Sequence, residues 1–157
     1  MKQVIALDPG TDQSAIVIYE NGVVLLAEIK PNQELILDLM QNSNEETTLA
    51  IEMVACYGMA VGLEVFETCV WIGRFAQAYG ADKVEYVYRR DVKHHLCNSV
   101  KAKDANIRQA LLDKFPRTGG GKTPQVGTKK EPGPLFGIKS HLWSALSVAV
   151  YFNEVKQ

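Results

Sequence analysis

Apolar and polar positions along the chain fall into short blocks of two different periods. Residues 2–8, KQVIALD, form an apolar run that ends in a charge, the pattern of a buried strand. Residues 14–20, SAIVIYE, and 23–29, VVLLAEI, are two further strand-like runs joined by Asn21-Gly22. Asn-Gly supplies the two positive-φ residues of a type I′ turn, so these runs predict a β-hairpin, which Pro31 ends. Over 33–41 the period changes, with Leu35 and Leu39, and Ile36 and Met40, recurring at helical spacing. After a polar loop at 42–46, residues 47–54, TTLAIEMV, read as another buried strand. Residues 58–79 read as a long helix that is apolar around most of its circumference, hence buried in the core or at a subunit interface. Gly58, Gly62 and Gly73 on it would allow close backbone approach. KVEYVY, residues 83–88, alternates and predicts a fifth strand. Residues 104–115 predict an amphipathic helix with Ile107, Ala110, Leu111 and Phe115 on one face. The last helix, 138–155, sets Ile138, His141, Leu142, Ala145, Ala149 and Phe152 on one stripe, so His141 is expected to point toward the sheet.

Three antiparallel strands followed by strands alternating with helices predict an α/β fold, a mixed five-stranded sheet with helices on both faces. The length of 157 residues suits one domain, 1–157, and there are no internal repeats. The clearest irregular segment is 116–137, which combines prolines, six glycines and the basic residues Arg117, Lys122, Lys129 and Lys130, with Lys139 just beyond. It holds few apolar groups to anchor it and is expected to be a mobile, functional loop.

Composition excludes some classes. No apolar run is long enough to span a bilayer, and the N-terminus has no signal-peptide pattern, so no membrane partner is expected. Cys56, Cys69 and Cys97 form no CxxC pair, which points to reduced thiols and a cytoplasmic setting. Charge changes the picture more. Residues 1–78 carry three Lys/Arg against eleven Asp/Glu, and residues 79–157 carry fourteen against seven. A basic second half predicts a polyanion-binding surface, although scattered solvated lysines would give the same count.

Two acids stand where acids are costly. Asp8 ends the first strand before Pro9-Gly10-Thr11, and Glu52 sits inside Ala50-Ile51-Glu52-Met53-Val54. Strands one and four are expected to be parallel neighbours, which brings the two carboxylates to one sheet level. Two close carboxylates repel unless a cation joins them or one is protonated, and open oxygen ligands suit Mg²⁺ or Mn²⁺. Alternatively, Asp8 caps the Gly10-Thr11 turn and Glu52 pairs with a lysine. His141 and Ser144 lie three apart on one helical face. His141 is either a ligand or proton-transfer group, or a core histidine with a satisfied hydrogen bond.

The stretch Ile5-Ala-Leu-Asp8-Pro-Gly-Thr11-Asp-Gln-Ser14-Ala15 resembles the first strand and turn of the RuvC family of Holliday junction resolvases. Leu49-Ala-Ile-Glu52 resembles that family's second acidic strand, and His141-Leu-Trp-Ser144-Ala145-Leu146 its last helix. The basic Gly-rich loop and the His-x-Trp-x-Ala-Leu pattern look most like small bacteriophage versions, which would act in the cytoplasm of a bacterial host. The resemblance implies a ribonuclease-H-like fold, a homodimer, and divalent-metal hydrolysis of phosphodiesters at branched DNA to 5′-phosphate and 3′-hydroxyl ends, with no nucleotide cofactor. Asp8 and Glu52 match its first two acids, His141 the first position of its C-terminal pair and Ser144 the second, where better-known members have an acid. Asp91 and Glu131 lie in plausible segments without motif support. DNA would be held by Arg89, Arg90 and Lys93 after the fifth strand, Lys101, Lys103 and Arg108 around the next helix, and Lys122, Lys129, Lys130 and Lys139 on the loop.

Other motifs compete less well. His94-His95-x-Cys97 lacks partner ligands elsewhere, and Gly119-Gly120-Gly121-Lys122-Thr123 lacks the spacing and preceding strand of a P-loop. Glu64 and Glu67 read as a solvated or interface stripe. Asp8-x-Gly10-Thr11-x-x-Ser14 also resembles the phosphate-binding turn of actin-like kinases, a fold that needs two such domains. A nuclease of the same fold acting on other branched DNA or RNA, and a non-catalytic nucleic-acid-binding protein, remain as alternatives.

Overall fold

A computed structural model describes residues 2–157. Five strands, β1 (Gln3–Asp8), β2 (Gln13–Glu20), β3 (Val23–Pro31), β4 (Thr47–Met53) and β5 (Val84–Tyr88), form one sheet in the order β3-β2-β1-β4-β5. The β1-β2 and β2-β3 pairs are antiparallel, and β1-β4 and β4-β5 are parallel. Asn21 and Gly22 have the positive φ values, 52° and 84°, that the hairpin turn requires.

Five helices cover the sheet: α1 (Asn32–Asn42), α2 (Leu63–Tyr79), α3 (Arg89–Cys97), α4 (Asp104–Leu112) and α5 (Leu142–Val155). Strand alternation divides the core in two. Ile5, Leu7, Leu49 and Ile51 point to one layer with Leu35 and Leu39 of α1 and Ile72, Phe75 and Tyr79 of α2. Val4, Ala6, Ala50 and Val87 point to the other, where α3, α4 and α5 pack. Helix α5 is the centre of that second layer, with Ala145, Leu146, Val148 and Ala149 fully buried. Among the described residues, no helix is long and apolar enough to cross a membrane.

The structure changes several element boundaries. The helix expected over 58–79 starts at Leu63, because Tyr57 and Gly58 take φ of 48° and 83° and turn the chain. The helix expected over 138–155 starts at Leu142, since Gly137 and Ser140 are also at positive φ (87° and 51°), leaving His141 at the N-cap. The helix expected over 104–115 ends at Leu112, although Phe115 is still buried. Helix α3 was not expected from the sequence. Its polar segment buries only Val92, with Leu96 one turn on packed against the same core, and Asn98 closes it at φ 56°, a left-handed C-terminal residue.

Segment 116–137 is better anchored than its composition indicates. Leu135 is fully buried, and the side chain of buried Gln125 donates to the Leu112 carbonyl at 3.1 Å. Within the segment, the N–H of Gly119 donates to Pro124 O, that of Gly120 to Glu131 O and that of Gly133 to Val126 O. The Gly119–Gly120 backbone donors are thus turned inward, unlike a phosphate-cradling loop.

Candidate functional site

The register of β1 against β4 pairs Leu7 with Ile51, so Asp8 and Glu52 are the next residues on adjacent parallel strands. Side chains two apart share a face. Asp8 therefore follows Val4 and Ala6, and Glu52 follows Ala50, onto the side covered by α5. The two acids meet on one face because both strands arrive in parallel, in register and with the same parity.

The turn after Asp8 is locked from below. Buried Ser14 donates from Oγ to Asn32 Oδ1 at 2.6 Å and accepts the Gly10 N–H at 3.1 Å, while Asn32 Nδ2 donates to Gly10 O at 2.9 Å. A Cβ on Gly10 would sit 2.4 Å from the Gln13 carbonyl oxygen, so the chain can turn this tightly only with glycine. Since Ser14 takes the Gly10 N–H, this turn does not offer that donor to a phosphate, which weighs against the actin-like reading. Ser14 belongs to the stretch singled out in the sequence. Asn32, eighteen residues away, carried no signal there.

Burial dominates the electrostatics of both acids. It raises the Asp8 pKa, partly offset by the hydrogen bond and charge of His141 and by the charge of Arg89. Glu52 is pushed from 4.5 to about 7, first by burial and then by the charge of Asp8. Oε2 of Glu52 is buried and has no hydrogen-bond partner. A carboxylate oxygen left bare beside a second acid is the condition that a divalent cation relieves. The donors are oxygens, and Asp8 keeps a solvent-facing edge beside His141 on a cavity of about 270 Å³, which suits an ion such as Mg²⁺ that retains several waters. No three His, Cys, Asp or Glu residues are grouped as a ready-made cage among the described residues.

His141 is not the core histidine that one reading of its stripe position allowed. Its side chain is 74% exposed at the start of α5, and its Nδ1 lies 2.9 Å from Oδ2 of Asp8, whose side chain is 16% exposed. The sequence stripe failed here because 138–141 is a turn, not helix. Ser144, one turn on, accepts a hydrogen bond from Arg89 Nη1 at 3.3 Å. Arg89 also makes an ion pair with Asp104, the first residue of α4. Asp104 was missed in the sequence, where nothing marks it, yet its charge raises the pKa of both acids. Asp91 and Glu131 lie exposed on α3 and in segment 116–137, and Glu64 and Glu67 are exposed on α2. On α3, His95 pairs through Nε2 with Glu154 of α5 at 2.6 Å.

The basic residues divide into two groups. A cavity of about 460 Å³ brings Arg89, Arg108 and Lys139 together with Ser144 and Trp143, the Arg108 guanidinium lying 4.8 Å from the Trp143 ring centroid. A second, of about 320 Å³, brings Arg89 together with Arg90, Lys93 and Tyr57. Arg89 lines both. Lys101, Lys103, Lys122, Lys129 and Lys130 are exposed and line neither cavity.

No family model matches the chain, and no curated protein matches it in sequence. Solved structures do match. The chain aligns with Thermus thermophilus RuvC at a TM-score of 0.64, covering 98% of this chain and 96% of that one at 15% identity. With T. thermophilus RuvC in complex with Holliday junction substrate the TM-score is 0.67, over 98% and 93% of the two chains at 16% identity. The chain has a RuvC-like fold. That fold spans nearly the whole chain and carries the ribonuclease-H-like sheet expected from the sequence. At this level of identity the likeness is one of backbone, and any role for Asp8, Glu52 and His141 is argued from their own geometry.

Proposed function

We propose that this chain is a divalent-metal-dependent endonuclease that cuts branched DNA, four-way junctions in particular. The observation that carries the reading is the pair Asp8 and Glu52 on one sheet face, with Glu52 Oε2 buried and unpartnered. The likeness to a RuvC bound to a Holliday junction supports the choice of substrate.

Asp8 and Glu52 would hold Mg²⁺ or Mn²⁺, which when bound supplies Lewis-acid polarisation of the scissile phosphate. His141 supplies the base. An ionised Asp8 can only accept a hydrogen bond, which puts the imidazole proton on Nδ1 and leaves Nε2 free toward solvent. The water oxygen bonds to phosphorus as the P–O3′ bond breaks, its proton passes to Nε2, and the 3′-oxygen takes a proton from solvent water as it leaves, His141 afterwards returning its own to solvent. The products are a 5′-phosphate and a 3′-hydroxyl. Ser144, whose Oγ is engaged by Arg89, acts as a positioning group and not as a principal ligand.

Arg90, Lys93, Arg108 and Lys139 would bind phosphates on either side of the acids, and the exposed Lys101, Lys103, Lys122, Lys129 and Lys130 would follow the duplex arms. A homodimer would present two such sites to the two strands of a junction. Leu63, Phe66 and Val70, an exposed apolar stripe at helical spacing on α2, are the surface we assign to that contact.

The test is cleavage of a synthetic four-way junction, with fork, flap and linear duplex arms in parallel, with and without Mg²⁺ or Mn²⁺. Symmetric metal-dependent nicks that vanish in Asp8→Asn are expected. Absence of nicks from every branched substrate, or an Asp8→Asn variant that cuts as well as the parent, refutes the proposal.

A further inference from the structure

We infer, on the nuclease reading above, that Arg89 supplies a fixed positive charge at the reaction centre and that the site, lacking a second set of anionic ligands, binds one divalent cation, not two. Arg89 is the first residue of α3, directly after β5, and β5 pairs with β4 next to Glu52. Its backbone is therefore fixed one strand away from the acids. The guanidinium is held at both ends, Nη1 donating to Ser144 Oγ at 3.3 Å and Nη2 to Asp104. The side chain is only 24% exposed and forms a wall shared by the two basic cavities. Its charge reaches both Asp8 and Glu52, opposing the upward push of burial on each. A guanidinium carries five N–H donors in a planar fork, and two bonds leave donors to spare for a phosphate oxygen.

Charge balance leads to the ion count. Asp8, Glu52 and Asp104 bring three negative charges and Arg89 one positive, all within electrostatic reach of one another, which leaves a net of two. One divalent cation balances that net charge. A second would find no anionic ligand of its own, because position 144 is a neutral serine already engaged by Arg89, and Nδ1 of His141 is engaged by Asp8. No further His, Cys, Asp or Glu completes a group of three among the described residues. An acid at 144 would add a further negative charge beside the guanidinium. Serine holds the guanidinium in place without adding one. Ser144 is thus a positioning residue for Arg89, and Arg89 meets the charge that gathers on the phosphate oxygens during in-line displacement.

Two measurements test this. The first counts Mn²⁺ bound without DNA, by the paramagnetic resonance signal of the free ion. The native chain and Arg89→Ala are expected to bind one Mn²⁺ per chain, and Ser144→Asp combined with Arg89→Ala to bind two. Two Mn²⁺ on the native chain overturns the inference. The second follows junction cutting. Arg89→Ala is expected to cut about 10²–10³-fold more slowly, a loss of the size seen when one transition-state donor is removed. Its junction affinity in EDTA should change less than about tenfold, and free guanidinium ion should restore cutting. Cutting within about threefold of the native rate, or a loss matched by binding and not restored by guanidinium, overturns it. If Arg89→Ala does not fold, Arg89→Lys replaces it, keeping the charge without the fork and binding one Mn²⁺ while still cutting at least tenfold more slowly. Should the native chain cut no branched DNA, the nuclease reading fails, and the Mn²⁺ count alone decides the charge balance.

Discussion

Replacing Glu52 by Gln removes an ionisable group whose proton is held far more tightly in the fold than in the unfolded chain. Its pKa is about 7 in the fold against 4.5 ordinarily, raised by burial and then by the charge of Asp8. The sign follows from proton linkage. A carboxyl that keeps its proton longer when folded favours the fold at low pH, and this advantage is lost as pH rises from 4.5 through 7. Relative to its protonated form, the group then costs roughly 3 kcal/mol at pH 8 and less than about 1 kcal/mol at pH 5. Without metal, the parent should therefore lose about 2–3 kcal/mol between these pH values that Glu52→Gln does not lose. The Gln amide keeps an unpaired polar group at the Oε2 position, taking back on the order of 1 kcal/mol, so the net gain at pH 8 is about 2 kcal/mol. Urea unfolding at both pH values in EDTA measures the difference. Saturating Mn²⁺ should reverse the order at pH 8, stabilising the parent and leaving the variant unchanged. A parent and variant with parallel pH profiles in EDTA, or a variant less stable than the parent at pH 8, would refute the view that these acids are strained without a cation.

Three other outcomes follow from the same geometry. Ser14→Ala leaves the Gly10 N–H and the Asn32 amide without their shared partner, so stability should fall by about 1–3 kcal/mol, read from the midpoint of urea unfolding. His141→Ala, at an exposed position, should leave stability within about 0.5 kcal/mol and slow junction cutting about 10²–10⁴-fold. Phe66→Asp on the exposed face of α2 should convert a dimer to a monomer in sedimentation velocity while the thermal midpoint stays close to that of the parent.

Much of the architecture was legible because short periods encode it. The hairpin was written in Asn21-Gly22, the buried strands in KQVIALD and TTLAIEMV, and the parallel neighbours β1 and β4 in the order of strands and helices. Asp8 and Glu52 stood out as charges ending or interrupting apolar strands, because a strand interior gives an unpaired carboxylate no local partner. Helix α3 was hidden because one fully buried residue in nine leaves almost no apolar period, and its helicity depends on Val92 and Leu96 finding the α5 layer. The helical stripe misplaced His141 because positive φ at Gly137 and Ser140 breaks the pattern, and sequence periodicity does not report dihedral angles. Asn32 beneath the Asp8 turn, and Asp104 holding Arg89 against Ser144, join residues 22 and 40 positions away from Gly10 and Ser144 respectively. Local pattern determined which residues could be strands, turns and costly acids. Only the folded chain decided which charges meet, because that depends on strand register and helix docking, interactions that no single segment contains.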